Sequence, residues 1–381
     1  MSAINGGVVI IGSGLGGYTL AREIRKLDHD VAITVITADG GEVYSKPMLS
    51  AAFAQGKTIQ TLTQKSARQY AEELSMAVMT RCRVTAIDRT AKTIALDNGE
   101  SISYGRLVLA VGADPRPYAV EGSKNVTIHT VNDLDDYAVW RDGLVPNGRV
   151  LLIGAGLIGS EFANDLTTAG QRVTVVDPAP WPLGRLLPKE LGDEMARALA
   201  GIGVTLHLGR SLVRIEPGKA VLDDGTVVGF DKALSAIGLV PRTALAATAG
   251  LAVDRGIVVD RLLRTSDPDI FALGDCTQTE AGPLPFVLPL MAEAKALAAT
   301  LAGTETPLRL PALPVAVKTP ALPMAICPPA PGAAGDWQIE GDGRDRKALF
   351  VAPDGRKLGF ALSGDKVAER QSLTREMPDL L

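Results

Sequence analysis

The chain contains few residues that could bind a metal ion or form a disulfide. Among its 381 residues only three are cysteine and three are histidine, and Cys82, Cys276 and Cys327 lie far apart. No CxxC pair is available for a zinc or dithiol redox motif, so we expect no metal site. A small, odd number of cysteines is typical of proteins from a reducing compartment, and we expect a cytoplasmic location.

Long apolar runs and a strong charge imbalance are also absent. No apolar segment reaches the roughly 18 residues that a transmembrane helix needs, and the first residues lack the basic start and apolar core of a signal peptide. The net charge of −4 offers no overall attraction to nucleic acid. We therefore expect neither nucleic acid nor membrane insertion. The apolar content of 46% is ample for a large core, and the length suggests about two to three domains.

What the chain does have is a strand–turn–helix pattern that occurs twice. Apolar runs at residues 8–11 and 150–153 each meet a Gly-x-Gly-x-x-Gly turn, at residues 12–17 and 154–159. Because the chain holds 40 glycines, one such match would be weak evidence. Two matches, each between an apolar run and a helical pattern, predict two Rossmann-like dinucleotide-binding domains in an α/β fold.

The first turn has the features of a dinucleotide site. Its glycines permit a tight turn, close approach of the backbone to a diphosphate and packing of the helix on the strand, and the diphosphate lies at a helix N-terminus. Thr37 occupies the place of the usual acidic residue, so Asp39 or the backbone is expected to hold the ribose. The residues predicted to line this site are Ile11, Gly12, Ser13, Gly14, Leu15, Gly16, Gly17, Thr37, Ala38 and Asp39.

The second turn predicts a preference for NADH over NADPH. The strand that follows it ends at Asp177, and a carboxylate there accepts a hydrogen bond from a ribose 2′-hydroxyl and repels a 2′-phosphate. Pro178 and Ala179 come next, and the nearest arginine, Arg185, is expected to be a surface charge. The residues predicted for this site are Gly154, Gly156, Leu157, Ile158, Gly159 and Asp177.

Three later segments end in small residues, as expected where a backbone passes close to a ligand. Two apolar runs close in Ala110-Val111-Gly112 and Ala236-Ile237-Gly238, and a third ends in Gly274-Asp275. From the residues alone, Asp275 either accepts from a sugar-like hydroxyl or stabilises a turn. Residues 310–331 then hold seven prolines, which predict a linker or edge strands. Short strands and a final polar helix beyond them indicate a small C-terminal α+β domain.

The order of these motifs resembles that of the two-dinucleotide-binding-domain flavoprotein reductases, over about residues 7–300. The resemblance implies FAD at the first turn and NADH at the second, with Asp275 on the FAD ribitol. It also implies that Val84 contacts FAD and that the backbone of Val287 faces the flavin. The implied domains are a discontinuous FAD-binding domain (1–114 and 244–312), an NADH-binding domain (115–243) and a C-terminal domain (313–381).

Residues 44–50 read Tyr-Ser-Lys-Pro-Met-Leu-Ser, with no sulfur nucleophile where disulfide reductases of this family carry cysteine. The chain is most similar to bacterial rubredoxin reductases that serve alkane hydroxylation, which implies hydride transfer from NADH to FAD and single electrons to rubredoxin. Three alternatives stay open: an NADH:ferredoxin reductase of an oxygenase system, a type II NADH:quinone reductase, and a slowly reacting signalling flavoprotein. Residues 364–381 are too polar for the membrane helix usual in the quinone enzymes.

The resemblance also assigns roles to three charged residues. Lys46, followed by Pro47, would pass the flavin near N5, Glu161 would lie at the nicotinamide–flavin contact, and we expect the two to form an ion pair. Lys318 would reach N1/O2 of the flavin. Because rubredoxins are generally acidic, we expect a basic rim on the C-terminal part, with a merely solubilising role as the alternative; the candidates are Arg344, Arg346, Lys347, Lys366, Arg370 and Arg375.

Overall fold

A five-stranded parallel sheet forms the centre of the first half of the molecule. The computed structural model describes residues 7–381, so the first six residues of the predicted FAD-binding domain lie outside the described part. Strand Ile33–Ile36, which follows the first glycine turn and its helix, pairs in parallel with the opening strand Val8–Ile11, as in a βαβ unit. In spatial order the strands are Ile270–Ala272, Arg106–Leu109, Val8–Ile11, Ile33–Ile36 and Ala77–Met79.

Helices cover this sheet because its strands are apolar on both faces. Helix Leu15–Leu27 packs along helix Val287–Leu301, which enters from a distant part of the sequence. A short 3-10 helix, Lys46–Ala51, follows the second strand. This half also contains helices Ile59–Leu62, Ala67–Glu73 and Ala244–Thr248, and the 3-10 helix Gly274–Cys276. Two small sheets complete it: an antiparallel sheet of Val84–Asp88, Thr93–Leu96 and Ser101–Ser103, and a parallel pair of Ile257–Val258 and Thr277–Gln278.

The second half repeats the plan of the first. Its parallel sheet runs in the order Thr205–Leu208, Arg172–Asp177, Arg149–Ile153, Lys232–Ser235 and Ile128–His129. Helices Leu134–Asp142, Leu157–Thr168 and Lys189–Gly201 accompany it, with an antiparallel sheet of Leu212–Glu216, Lys219–Leu222 and Val227–Gly229. The duplicated strand–turn–helix pattern of the sequence therefore corresponds to two similar α/β units.

The chain passes between the halves through one short ladder. Strand Ala113–Pro115 leaves the first half and pairs antiparallel with Leu239–Pro241, which returns to it. The pairing is extended by backbone bonds from Arg116 N–H to Gly238 O and from Arg242 N–H to Gly112 O. Both crossings thus lie side by side at the predicted boundaries, although the exact domain division stays a prediction.

The C-terminal part is a five-stranded antiparallel sheet followed by short helices. Its strands run in the order Val315–Val317, Met324–Cys327, Lys357–Ser363, Lys347–Val351 and Asp336–Glu340, and the chain continues through Gly364–Glu369 and Arg370–Thr374. The predicted fold class, two Rossmann-like units with a small α+β domain, is confirmed. Within residues 7–381 no helix is both long and apolar enough to cross a membrane.

Candidate active site

Close backbone contacts in the first glycine turn leave no room for a side chain at two of its three motif glycines. Gly12 has a φ of +113°, and a Cβ atom there would lie 2.2 Å from the carbonyl oxygen of Ala110. A Cβ at Gly17 would lie 1.9 Å from the oxygen of Gly12, whereas one at Gly14 would meet nothing within 4 Å. Gly14 precedes helix Leu15–Leu27 and has no side chain to cap it. The space beside Gly14, at the N-terminus of this helix, is therefore open, as the predicted diphosphate site requires.

Asp39 is tied to this turn by side-chain hydrogen bonds. Its Oδ1 accepts from the hydroxyl of Thr37 at 2.6 Å and from the N–H of Gly41 at 2.9 Å. The hydroxyl of Ser13 lies 2.9 Å from the same oxygen. Thr37 thus supports the carboxylate that comes two residues later, which leaves Oδ2 of Asp39 for a ribose. The predicted site residue Val84 follows Cys82 by two residues, and the backbone N–H of Cys82 donates a hydrogen bond to the carbonyl of Thr37.

The second glycine turn repeats this geometry. Gly154 has a φ of +104°, a Cβ at Gly159 would lie 2.0 Å from the oxygen of Gly154, and one at Gly156 would meet nothing within 4 Å. The carboxylate of Asp177 accepts from the N–H of Ala155 at 2.6 Å and from that of Ala179 at 2.7 Å. Each oxygen is therefore fixed beside the turn, which is the placement that recognition of a ribose requires.

Glu161 lies at the centre of a buried polar cluster. It is 6% exposed, and its Oε2 lies 2.8 Å from the ammonium of Lys318 and 2.5 Å from the hydroxyl of Ser50. Its Oε1 accepts from the backbone N–H of Lys318 at 3.0 Å. The Lys318 ammonium also donates to the carbonyl of Pro47. Three parts of the chain, near residues 47–50, 161 and 318, therefore meet at one carboxylate.

The predicted ion pair between Lys46 and Glu161 is wrong, because Lys318 occupies that place. Lys46 begins a 3-10 helix in which Ser50 faces Glu161. With three residues per turn, a side chain four positions before Ser50 points about 120° away from it. The side chain of Lys46 consequently faces away from Glu161.

Lys46 and Asp275 influence each other's protonation. Burial lowers the pKa of the Lys46 ammonium, and the carboxylate of Asp275 opposes that shift. Burial raises the pKa of Asp275, and Lys46 in turn opposes it. The structure thus brings together two predicted site residues that are separated by more than half of the chain.

The segments that close the two halves also lie beside the glycine turns. Gly112 and Gly238 have positive φ values, +70° and +103°, and a Cβ at either would meet nothing within 4 Å. Ala110 and Ala236 approach the first glycine of their respective turns, as the contacts of Gly12 and Gly154 show. Ile237 also lies near Gly154, and Val287 begins its helix as a partly exposed residue.

Four residues of this region were not anticipated. Besides Ser50, the helix that carries Glu161 presents Asp165, which accepts from the N–H groups of Phe53 at 2.8 Å and Ala54 at 3.1 Å. On the same helix Asn164 accepts from the N–H of Ala321 at 2.9 Å. The signal was in the sequence: polar residues at helical spacing interrupt an otherwise apolar helix. The fourth is Glu293, which contacts the Gly274 turn.

Most of the predicted basic rim is engaged within the protein. Arg346 pairs with Glu194 at 3.2 Å and Lys366 with Glu369 at 3.3 Å. Lys347 pairs with Glu340 at 2.8 Å and Arg344 donates to a backbone carbonyl. These partners reduce the charge that the four residues present to an approaching protein. Arg370 and Arg375 lie in the C-terminal helical segment, and their part in a rim stays a prediction.

Comparison with known proteins identifies both parts of the chain. Residues 6–296 match the pyridine nucleotide-disulphide oxidoreductase family, and residues 307–377 match the rubredoxin binding C-terminal domain. The rubredoxin-NAD(+) reductase of Alcanivorax borkumensis is 43% identical over 379 residues, 98% of this chain and 99% of that protein. The nitric oxide reductase FlRd-NAD(+) reductase of Aeromonas salmonicida is 39% identical over 97% of this chain and 96% of its own length.

A solved structure supports the same assignment. Putidaredoxin reductase, in its covalent complex with putidaredoxin, superposes with a TM-score of 0.89 at 27% identity, covering 98% of this chain and 94% of that one. The expected class, an NADH-dependent flavoprotein oxidoreductase with FAD and NADH as cofactors, is confirmed. The chain belongs to the pyridine nucleotide-disulphide oxidoreductase family and carries a rubredoxin-binding C-terminal domain.

Proposed function

We propose that this protein is an FAD-dependent NADH:rubredoxin reductase. The observation that carries the proposal is the rubredoxin-binding domain at residues 307–377, joined in one chain to two dinucleotide turns. The match to the Alcanivorax rubredoxin-NAD(+) reductase over nearly its full length supports it. Bound FAD supplies the chemistry that joins the two partners, because it accepts two electrons at once from NADH and releases them singly.

The residues of the first half fit FAD. Gly14 leaves the N-terminus of helix Leu15–Leu27 accessible to a diphosphate, and Asp39 stands beside the turn for the adenosine ribose. We assign Asp275 to the ribityl hydroxyls. Lys46 influences Asp275, so we place its ammonium along the ribityl–diphosphate part of FAD and no longer near N5.

The residues of the second half fit NADH. Asp177 is held by two backbone N–H groups, so its carboxylate is ordered before the coenzyme arrives and less conformational entropy is lost on binding. A fixed negative charge at this point accepts from a 2′-hydroxyl and repels a 2′-phosphate. This geometry supports NADH as the reductant.

The cluster of Glu161, Lys318 and Ser50 orders the contact between nicotinamide and flavin. Glu161 lies near the start of helix Leu157–Thr168, next to the second glycine turn. Its charge is compensated by one ammonium and two further hydrogen bonds, as a buried carboxylate requires. We assign Glu161 and Lys318 to positioning of the nicotinamide, and the protein contributes no general base.

Three electron acceptors compete in this proposal. Rubredoxin that serves alkane hydroxylation is our first choice. The relative named nitric oxide reductase FlRd-NAD(+) reductase makes FlRd the competing acceptor. An oxygenase ferredoxin is a third, because the structural neighbour is bound to putidaredoxin.

Steady-state reduction of purified acceptors tests the proposal. The holoenzyme is mixed with NADH and either rubredoxin, FlRd or a ferredoxin, with cytochrome c as the reporter. We expect kcat/KM for rubredoxin to exceed that for ferredoxin by at least about tenfold, or ~1.4 kcal/mol. Equal rates with ferredoxin would reject the rubredoxin assignment. If NADH fails to bleach the flavin within seconds in a stopped-flow mixing experiment, the reductase function itself is rejected.

A further inference from the structure

The proposed function does not use one buried carboxyl group, that of Glu293, which lies beside the Gly274 turn. Glu293 is part of helix Val287–Leu301 and is 2% exposed. Its Oε2 accepts from the backbone N–H of Gly274 at 2.7 Å. A glutamate is rarely buried to this extent without a structural or functional reason.

The Gly274 turn is held from both sides. Glu293 binds its N–H, and the hydroxyl of Thr277 donates to its carbonyl at 2.7 Å. Gly274 has a φ of +79°, and a Cβ there would lie 3.2 Å from Leu290, one turn before Glu293 on the same helix. The backbone direction at Gly274 therefore determines where the next side chain, Asp275, points.

We propose that Glu293 is a positioning residue for FAD: its carboxyl group fixes the peptide of Gly274 and thereby aims Asp275 at the ribityl chain. The inference rests on the proposed role of Asp275. Without this acceptor the buried N–H of Gly274 would lose its hydrogen bond, which is costly in a dry interior. The turn would then relax, and the side chain of Asp275 would lose its fixed orientation.

The same carboxyl group makes FAD binding sensitive to pH. Burial raises the pKa of Glu293 to about 7, the charge of Asp275 adds to the rise, and the Gly274 N–H opposes it. Cys276, in the same turn, interacts electrostatically with Glu293. The buried face of the neighbouring helix Leu15–Leu27 consists of Gly16, Gly17, Tyr18, Thr19, Leu20, Ala21 and Ile24, of which only Tyr18 titrates.

The direction of the effect follows from charge. Below the pKa Glu293 is neutral and still accepts the Gly274 bond through one oxygen. Above it, a second negative charge appears near Asp275, in the turn that we assign to FAD, so the anionic cofactor binds less tightly. The opposing cation in this region is Lys46, which acts on Asp275.

FAD release from the purified holoenzyme tests the inference. The rate is followed by flavin fluorescence after dilution at pH 6.0 and 8.5, for wild type, Glu293→Gln, Glu293→Leu and Asp275→Ala. Glu305→Gln, an exposed glutamate just beyond the same helix, is the matched control. The glutamine variant keeps the acceptor and has no titrating charge, whereas the leucine variant loses both.

For each variant, the release rate at pH 8.5 is divided by its own rate at pH 6.0. We expect this ratio to be about three- to tenfold larger for wild type and Glu305→Gln than for Glu293→Gln. Such a difference corresponds to a rise of about 0.5 to 1 in the pKa of Glu293 when FAD binds. Glu293→Leu should release FAD about tenfold faster at both pH values, because an unpaired buried N–H costs ~1–3 kcal/mol.

Identical pH profiles for Glu293→Gln and wild type would overturn the inference, and so would wild-type FAD retention in Glu293→Leu. If the leucine variant does not fold, the near-isosteric glutamine variant still decides by its pH profile. Wild-type release from Asp275→Ala would instead reject the proposed role of Asp275. Faster release from that variant, together with a wild-type profile for Glu293→Gln, would reject the inference alone.

Discussion

Single carboxylates in this protein are held in place by backbone N–H groups. Asp177 accepts from two of them, as does Asp165, and Asp39 accepts from one. Such side chains lose their rotamer freedom during folding, so little more is lost when a ligand binds. A substitution at any of these positions therefore removes part of the local scaffold, and at Asp39 and Asp177 it would also remove the ligand contact that we propose.

Asp177→Ala should weaken the preference for NADH over NADPH. The change removes one hydrogen bond to the ribose and one repulsion of the 2′-phosphate, so we expect a relaxation of ~1–3 kcal/mol. The ratio of kcat/KM for the two coenzymes measures it. Asp193→Ala, which breaks a surface pair with Lys189 on the same half, is the control. An unchanged ratio would contradict the role given to Asp177.

Lys46→Ala should loosen FAD. The change removes a buried cation that influences Asp275 and that we place along the ribityl–diphosphate part of FAD, so FAD release should be about tenfold faster or more, or ~1.4 kcal/mol. Release is followed by flavin fluorescence, with Lys65→Ala, an exposed lysine paired with Glu73, as the control. If the variant keeps FAD tightly bound but is reduced more slowly by NADH, Lys46 would instead lie near N5 of the flavin, as the sequence predicts.

At the scale of elements, the three glycines of a turn serve two different purposes. The first and third are demanded by the protein itself, since a Cβ at Gly159 would overlap the oxygen of Gly154. The second, Gly156, has open space around it, so no protein contact requires glycine there, and we propose that close approach of the ligand does. The two purposes can be separated by the same substitution at neighbouring positions.

Gly159→Ala should destabilise the protein, and Gly156→Ala should not. Forcing a methyl group into the Gly159 contact costs ~1–3 kcal/mol and lowers the melting temperature. Gly156→Ala should keep the wild-type melting temperature and raise KM for NADH about tenfold, equivalent to ~1.4 kcal/mol. Thermal unfolding and steady-state kinetics on both variants decide. Equal losses of stability would refute the division.

The elements that the sequence predicts best are those with a local signal. Both strand–turn–helix units could be predicted because apolar strands, glycines and helical patterns adjoin one another. The proline-rich stretch was less informative. Val315–Val317 is an edge strand as expected, but Met324–Cys327 lies inside the sheet between two partners. Proline excludes only its own position from a ladder, and the four residues between Pro323 and Pro328 are free to pair.

At the scale of the whole molecule, one helix joins all three parts. Leu157–Thr168 belongs to the NADH side, and its Asp165 binds the segment after Lys46–Ala51 while Asn164 and Glu161 bind residues 318–321. The apolar core supports this connection, since Leu166 and Leu322 belong to one buried cluster. The C-terminal part therefore contacts the helix that carries Glu161, the residue that we propose for the nicotinamide contact.

Lys318→Ala should slow reduction of the flavin by NADH even when no rubredoxin is present. The change leaves Glu161 buried without its cation, and we expect the rate to fall by about tenfold or more, or ~1.4 kcal/mol, while FAD stays bound. Stopped-flow absorbance measures it. Lys366→Ala, a surface lysine of the same domain, is the control. A wild-type rate would show that the C-terminal domain serves electron exit alone.

This long-range contact is also what the sequence could not predict. Lys46 and Lys318 are both plausible partners for Glu161 by charge, and nothing local to either lysine distinguishes them. The choice is made by the three-residue turn of Lys46–Ala51 and by the strand that ends at Val317. Glu293 was missed for a related reason, because its partner is a backbone N–H with no signature of its own.

The ladder between Ala113–Pro115 and Leu239–Pro241 gives the NADH half the character of an insertion. Because the chain leaves and re-enters the FAD half at adjacent points, everything between those points could be exchanged without separating the ends that remain. Insertions of this kind are tolerated where entry and exit lie close together. With Asp177 as the proposed determinant, coenzyme preference would be a property of a replaceable module, and grafting an NADPH-binding half between the paired strands Ala113–Pro115 and Leu239–Pro241 would be a direct way to change the electron donor.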